Sequence, residues 1–125
     1  MCLRENIGLL PYSPLSMGSL TGKYLGGVRP PGARMTLTDR NSHYNPPQSQ
    51  AVIQRYVDLA KKHGLDPATM AIAFAASRSF VTSTIIGATT LEQLAVDIEA
   101  GNITLSPEVM SDIADIHREM PNTHA

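Results

Sequence analysis

Two stretches of this sequence hold residue types suited to gripping an anion. In the first, Gly18 and Gly22 would let backbone come close to a phosphate, and Lys23 and Arg34 follow with positive charge. In the second, Gly87 precedes Thr89 and Thr90, whose hydroxyls stand beside the free amides that open a helical pattern. The chemistry on offer is phosphate binding. Each residue also has a plainer explanation. Gly18, Gly22, Gly26 and Gly27 do not form G-x-G-x-x-G between a strand and a helix, and alone they are ordinary loop glycines. Lys23 and Arg34 alone are solvated surface charges. Gln93 is the last member of a Thr90-Leu-Glu-Gln93 capping box, a role that needs no ligand.

No group in the chain is equally suited to making or breaking bonds. Of Tyr12, Tyr24, Tyr44 and Tyr56, the last belongs to a helical core stripe, and no catalytic role is assigned to any of the four. His63 is a helix-end cation by position, and His43, His117 and His124 lack a convincing partner. Four scattered His and the single Cys2 give no metal-ligand spacing and no internal disulfide, so no metal is expected. Met17, Met70 and Met110 are read as packing residues.

The elements that would position the anion-binding stretches follow from pattern. Residues 7–13 form a nearly continuous apolar run, the mark of a strand buried on both faces, although Pro11 cannot donate to a ladder. Residues 14–47 have no sustained period and many Gly and Pro, which makes a long loop, read as a functional one with room for short helical turns. Val52, Tyr56 and Leu59 set a helix over 49–63 that stops at Gly64. Asp66-Pro67 caps a second helix to about Ala76, with Met70, Ala73 and Phe74 buried. The β-branched run 80–87 is a second strand. Leu91, Leu94, Ala95 and Ile98 carry a helix from Thr90 to Gly101, and Ser106-Pro107 opens a last one striped by Val109, Met110, Ile113 and Ile116. Strands alternating with helices point to an α/β fold with a parallel sheet. Two strands cannot satisfy their own edges, which calls for more sheet than this sequence encodes.

Bulk properties narrow the function classes. The formal net charge of -1 arises without a basic block, which argues against a nucleic-acid partner. No apolar stretch approaches the roughly 18 residues of a membrane span, and the first residues lack a signal-peptide core, so a cytoplasmic location is the default.

Two motifs carry a family resemblance. Tyr12-Ser-Pro-Leu-Ser-Met-Gly-Ser-Leu-Thr-Gly-Lys-Tyr24 resembles the seventh-strand segment of aldo-keto reductases, and Ile85-Ile-Gly-Ala-Thr-Thr-Leu-Glu-Gln-Leu94 resembles their eighth-strand turn and helix. Gly32-Ala-Arg34, His63-Gly-Leu-Asp-Pro67 and Ala71-Ile-Ala-Phe74 are similar to a bacterial, Tas-like branch of that family. The resemblance implies a (β/α)8 TIM barrel, with residues 1–125 forming its C-terminal part: the seventh and eighth strands, their helices and the terminal helix. Truncation at the N-terminus is expected, because residues 2–7 resemble the interior of the junction between the sixth helix and the seventh strand.

The implied cofactor is NADPH and the implied substrate a small carbonyl compound. By motif position, Ser13, Pro14, Leu15, Ser16, Gly18 and Leu20 would line the nicotinamide and pyrophosphate side. Lys23, Arg34, Gly87 and Thr89 would hold phosphates, and Gln93 and Asp97 would meet the adenosine end. The family commonly has Asn at the place of Asp97, and Asp lacks the amide donors. The family's Asp, Tyr, Lys and His group, which transfers the proton, lies before the region present here. The chain alone is therefore expected to be inactive and to need the preceding barrel segment as its partner. A non-catalytic nucleotide-binding or barrel-completing module is the alternative.

Overall fold

The computed structural model describes residues 1–38 and 45–121. Tyr44, His43 and His124 lie outside the described residues. Six α-helices can be numbered in chain order: α1 Cys2–Glu5, α2 Arg34–Leu37, α3 Gln50–Lys62, α4 Pro67–Ala76, α5 Leu91–Ala100 and α6 Pro107–Glu119. Short 3-10 turns cover Ser16–Thr21, Leu25–Gly27 and Pro47–Ser49.

The helix ends follow the local chemistry of the sequence. After α3, Gly64 takes a left-handed φ of 67°. Its N–H reaches the Lys61 carbonyl at 3.0 Å while the Leu65 N–H reaches that of Ala60 at 2.8 Å. This pair of bonds is the Schellman stop, which a side chain at residue 64 would strain. Asp66 Oδ1 accepts from the Ala68 and Thr69 amides at 2.9 and 3.1 Å, and Pro67 occupies the first turn, where its missing N–H costs nothing. Ser106 Oγ accepts from the Val109 amide in the same way.

The core lies between helices. Val52, Leu59 and Ala60 of α3 meet Met70 and Ala73 of α4 and Val109, Ile113 and Ile116 of α6, with Leu105 beside them. Arg55 pairs with Glu119 at 2.7 Å and Lys62 with Asp112 at 2.9 Å, so α3 and α6 run antiparallel. Tyr24, from the long loop, is almost fully buried and its hydroxyl accepts from the Met35 amide at 3.3 Å. That placement explains Tyr24 as a core residue.

The two expected strands pair, in parallel and in the expected order, but only at isolated bridges: Leu9 with Val81 and Tyr12 with Ile85. The bonds are Leu9 N–H to Phe80 O at 2.8 Å, Thr82 N–H to Leu9 O at 2.9 Å and Ile85 N–H to Pro11 O at 2.8 Å. Pro11 enters through its carbonyl, so its missing donor does no harm. A continuous ladder over 7–13 and 80–87 is thus corrected to two bridges. A lone parallel pair leaves the outer polar groups of both segments without sheet neighbours, and nothing holds the rest in register. The expected burial on both faces is also corrected: Ile7, Leu10 and Ile85 are more than half exposed, and Tyr12 is 71% exposed.

A second correction concerns α5. Its expected stripe of Leu91, Leu94, Ala95 and Ile98 faces outward, whereas Asp97 and Ala100 are buried. The helix packs chiefly on α4, and only the Asp97 and Ala100 side reaches it. The long loop holds short helical turns, as it had room to do, and Ser16–Thr21 fits against α3 and α4. Among the described residues no helix is long and apolar enough to cross a membrane.

Gly22 holds the loop to this core. It has φ of 82°, and a Cβ there would lie 2.9 Å from Val57 Cγ2 on α3. Gly22→Ala is expected to cost about 1–3 kcal/mol through the left-handed backbone and the overlap together. The check is a fall in the urea midpoint of the far-UV helical signal. An unchanged midpoint would show that the loop does not contribute to the stability of α3.

Candidate functional site

The parallel register fixes where the two anion-binding stretches lie. Tyr12 bridges Ile85, so Ser13 and Gly87 leave their segments at the same, C-terminal end of the pair. Each segment opens there into one of the two candidate groups.

The group after Tyr12 is conformationally unusual. Ser13, Ser16 and Met17 have φ of 56°, 50° and 55°, and Gly18 has φ of 94°. Three non-glycine residues in left-handed backbone within five positions is a rare arrangement, costing on the order of 1 kcal/mol or more at each, and such clusters gather at ligand-gripping turns. Turn bonds hold it: the Ser16 amide to Ser13 O at 2.9 Å, and the amides of Gly18 and Leu20 to Leu15 O at 2.9 and 3.2 Å. Gly18 itself is buried, and a Cβ on it would come 2.8 Å from Lys23 Cε. Lys23 thus arches over the turn, with its ammonium 5.3 Å from the centre of the Tyr24 ring. Arg34 reaches the same turn, Nη1 lying 3.1 Å from Met17 Sδ. Two cations therefore converge on the strained turn, which proximity in sequence did not guarantee.

Pro14, Ser16 and Leu20 also line a cleft of about 480 Å³, whose other walls include Val52, Tyr56 and Phe74. Its lining is largely apolar. Burial in this wall pushes the Tyr56 phenol up from its ordinary range, against a smaller opposing effect of the Arg55 charge, which keeps it a neutral packing group.

The group after Ile85 surrounds a separate, shallower cleft of about 320 Å³ lined by Gly87, Thr89, Thr90, Leu91 and Leu94. Its amides are less free than a bare helix start would offer. Thr90 Oγ1 accepts from the Gln93 amide at 3.2 Å. Gln93 Oε1 accepts from both the amide and the hydroxyl of Thr89, each at 3.0 Å. The capping box is therefore shifted: Gln93 reaches back to Thr89, one residue before the cap. The Glu92 carboxyl is held below its ordinary range first by its own backbone N–H and then by the Thr90 hydroxyl. An incoming phosphate would have to displace these internal acceptors.

Asp97 is only 6% exposed and belongs to the α4 side of α5. Burial raises its pKa above the ordinary carboxylate value, and the nearby charge of Asp66 raises it further. Of the twelve residues singled out by motif, the structure gathers Ser13, Pro14, Leu15, Ser16, Gly18, Leu20, Lys23 and Arg34 around one turn and Gly87, Thr89 and Gln93 around another. It buries Asp97 apart from both clefts. The buried hydroxyls of Ser19 and Ser49 beside the larger cleft were not foreseen, since Ser in a Gly-rich loop gives no burial signal.

The model described as the aldo/keto reductase family matches residues 1–118. The chain is 48% identical over 114 residues to Protein tas of Escherichia coli K12, covering 91% of this chain and 33% of that protein. It is 33% identical over 122 residues to a probable voltage-gated potassium channel subunit beta of Arabidopsis thaliana, covering 94% and 37%. It is 30% identical over 115 residues to L-glyceraldehyde 3-phosphate reductase of Escherichia coli K12, covering 87% and 33%. The chain thus spans about a third of the length of the curated relatives it matches.

The buried carboxylate makes a prediction with a definite sign. The pKa of Asp97 is higher folded than unfolded, so its protonation favours the fold at low pH, and this contribution is lost as pH rises through the folded value. Asp97→Asn should therefore raise Tm at pH 7, with a gain that shrinks as pH falls through the carboxylate range. A Tm gain equal at all pH values would show that charge burial is not its source.

Proposed function

Because the chain belongs to the aldo/keto reductase family, we propose that it is the C-terminal, cofactor-binding part of an NADPH-dependent oxidoreductase that reduces aldehydes or ketones. The observation that carries this reading is the parallel register. It sets the strained turn at Ser13, Ser16, Met17 and Gly18 and the turn from Gly87 to Gln93 at one end of the strand pair. In barrels of this class ligands bind at the C-terminal ends of the strands.

Ser13, Pro14, Leu15, Ser16, Gly18 and Leu20 would meet the nicotinamide and pyrophosphate, and Lys23 and Arg34 would hold phosphate, including the 2′-phosphate that distinguishes NADPH. Gly87 and Thr89 would meet phosphate, and Gln93 the adenosine. Gln93 Oε1 is engaged by Thr89, so Gln93 would meet the adenosine through its amide nitrogen or by releasing that bond. Asp97 would join only if α5 turns or shifts on α4, since its carboxylate is buried now. The cofactor supplies the hydride when bound. The residues here bind and orient it and shield the pocket wall from water. Proton transfer to the carbonyl oxygen belongs to side chains of the preceding barrel segment, with which this chain would work in the cytoplasm. The exposed apolar edges at Ile7, Leu10, Tyr12 and Ile85 support such a partner segment.

The test is a chimera in which this chain completes a barrel begun by the matching Escherichia coli Tas relative. NADPH should bind at least about tenfold more tightly than NADH, because a charge-assisted contact to the extra 2′-phosphate is worth roughly 1.5–3 kcal/mol. Replacing both Lys23 and Arg34 by Met should erase most of that preference in a fluorescence titration. Equal affinity for the two cofactors in the parent chimera would sink the NADPH assignment. The chain by itself should oxidise no NADPH in the presence of aldehydes, and carbonyl-dependent turnover by it would overturn the assignment of proton transfer to the preceding segment.

A further inference from the structure

The antiparallel pairing of α3 and α6 brings a histidine from one helix end beside two carboxylates of the other helix that are distant from it in sequence. His63 closes α3, while Glu108 and Asp112 sit one turn apart near the start of α6. His63 Nε2 is 3.1 Å from Asp112 Oδ2, and one ligand atom each from His63, Glu108 and Asp112 lies within 4.8 Å of the other two. None of the three lines either cleft described above.

We propose that His63, Glu108 and Asp112 form a binding site for a divalent cation of the zinc class, which staples the end of α3 to the beginning of α6. The donor set is one imidazole nitrogen and two carboxylates. Magnesium and calcium favour all-oxygen surroundings, whereas zinc accepts nitrogen and oxygen together at about 2.0–2.2 Å. Tetrahedral coordination at those lengths separates ligand atoms by about 3.3 Å. The His63 and Asp112 atoms are already near that spacing, and Glu108, which is exposed, needs only a side-chain rotation to join them. Water would complete the coordination.

The position already attracts a cation. Lys62 Nζ lies 2.9 Å from the same Asp112 oxygen, and its side chain is 60% exposed, free to swing into solvent when a doubly charged ion replaces it. Lys62 is thus the competitor that sets the affinity.

The experiment is calorimetric titration of the full chain, carrying Cys2→Ser to remove the thiol, with zinc chloride and separately with magnesium chloride. One zinc per chain should bind, with magnesium unable to compete at equal concentration. Loss of an outer-shell partner alone weakens metal sites by about 10–100-fold, so His63→Ala and Asp112→Asn should each weaken zinc by at least about tenfold. Far-UV spectra of both variants report whether the helices remain. Lys62→Ala, which removes a competitor and leaves every ligand in place, should tighten zinc binding, and this decides the matter if either ligand variant loses its helices. Absence of zinc binding, equal binding in folded His63→Ala and Asp112→Asn, displacement by magnesium, or no gain in Lys62→Ala would each overturn the proposal.

Discussion

The structure depends on the packing of α3 against α4 and α6. Val52, Leu59 and Ala60 are buried there against Met70, Ala73, Val109, Ile113 and Ile116, and this is where the chain removes a contiguous set of aliphatic side chains from water. Fully burying one such side chain is worth about 1.5–3 kcal/mol, far more than an exposed ion pair such as Arg55 with Glu119 contributes. The surface pairs add alignment to a contact that hydrophobic burial makes. The order of the two helices, and with it the meeting of His63 with α6, is a consequence.

The segments that carry the candidate cofactor residues depend on that core in unequal ways. The turn at Ser13 to Gly18 is tied to it twice, through the Ser16–Thr21 stretch, where Gly18 and Ser19 are buried, and through Tyr24. This support explains how left-handed Ser and Met backbone persists, because an isolated loop would relax it. The turn from Gly87 to Gln93 has no comparable support. It is held by its own capping bonds and by the docking of α5 on α4, and Leu91 stands 80% exposed. The first turn is firmly held by the core, while the second has satisfied its donors internally, so a ligand there would have to exchange them.

The strand pair is sparse. A strand at a sheet edge offers unpaired N–H and C=O groups along its length, and barrels remove them by closure. Here two bridges survive, enough to set register and direction, while Ile7, Leu10, Tyr12 and Ile85 keep apolar surface in water. The same reasoning covers α5, whose apolar face looks outward because α4 alone offers it a surface.

By itself the sequence determined what is set within a few residues. Asp66-Pro67, Thr90, Ser106-Pro107 and Gly64 placed helix ends because capping bonds span at most five positions, and the stripes of α3 and α6 were legible because each helix faces one continuous core. The residues of the candidate turns were legible as motifs. Only the tertiary structure decided how those motifs are held, since left-handed φ at Ser13, Ser16 and Met17 has no local signature in side chains that ordinarily avoid it. It also decided that α5 buries Asp97 instead of its leucines, because a helix's periodicity names an apolar face without saying which neighbour will be there to cover it. The cluster of His63, Glu108 and Asp112 was invisible for the same reason: forty-odd residues separate His63 from the two carboxylates along the chain, and their meeting is made by burial elsewhere on the same two helices.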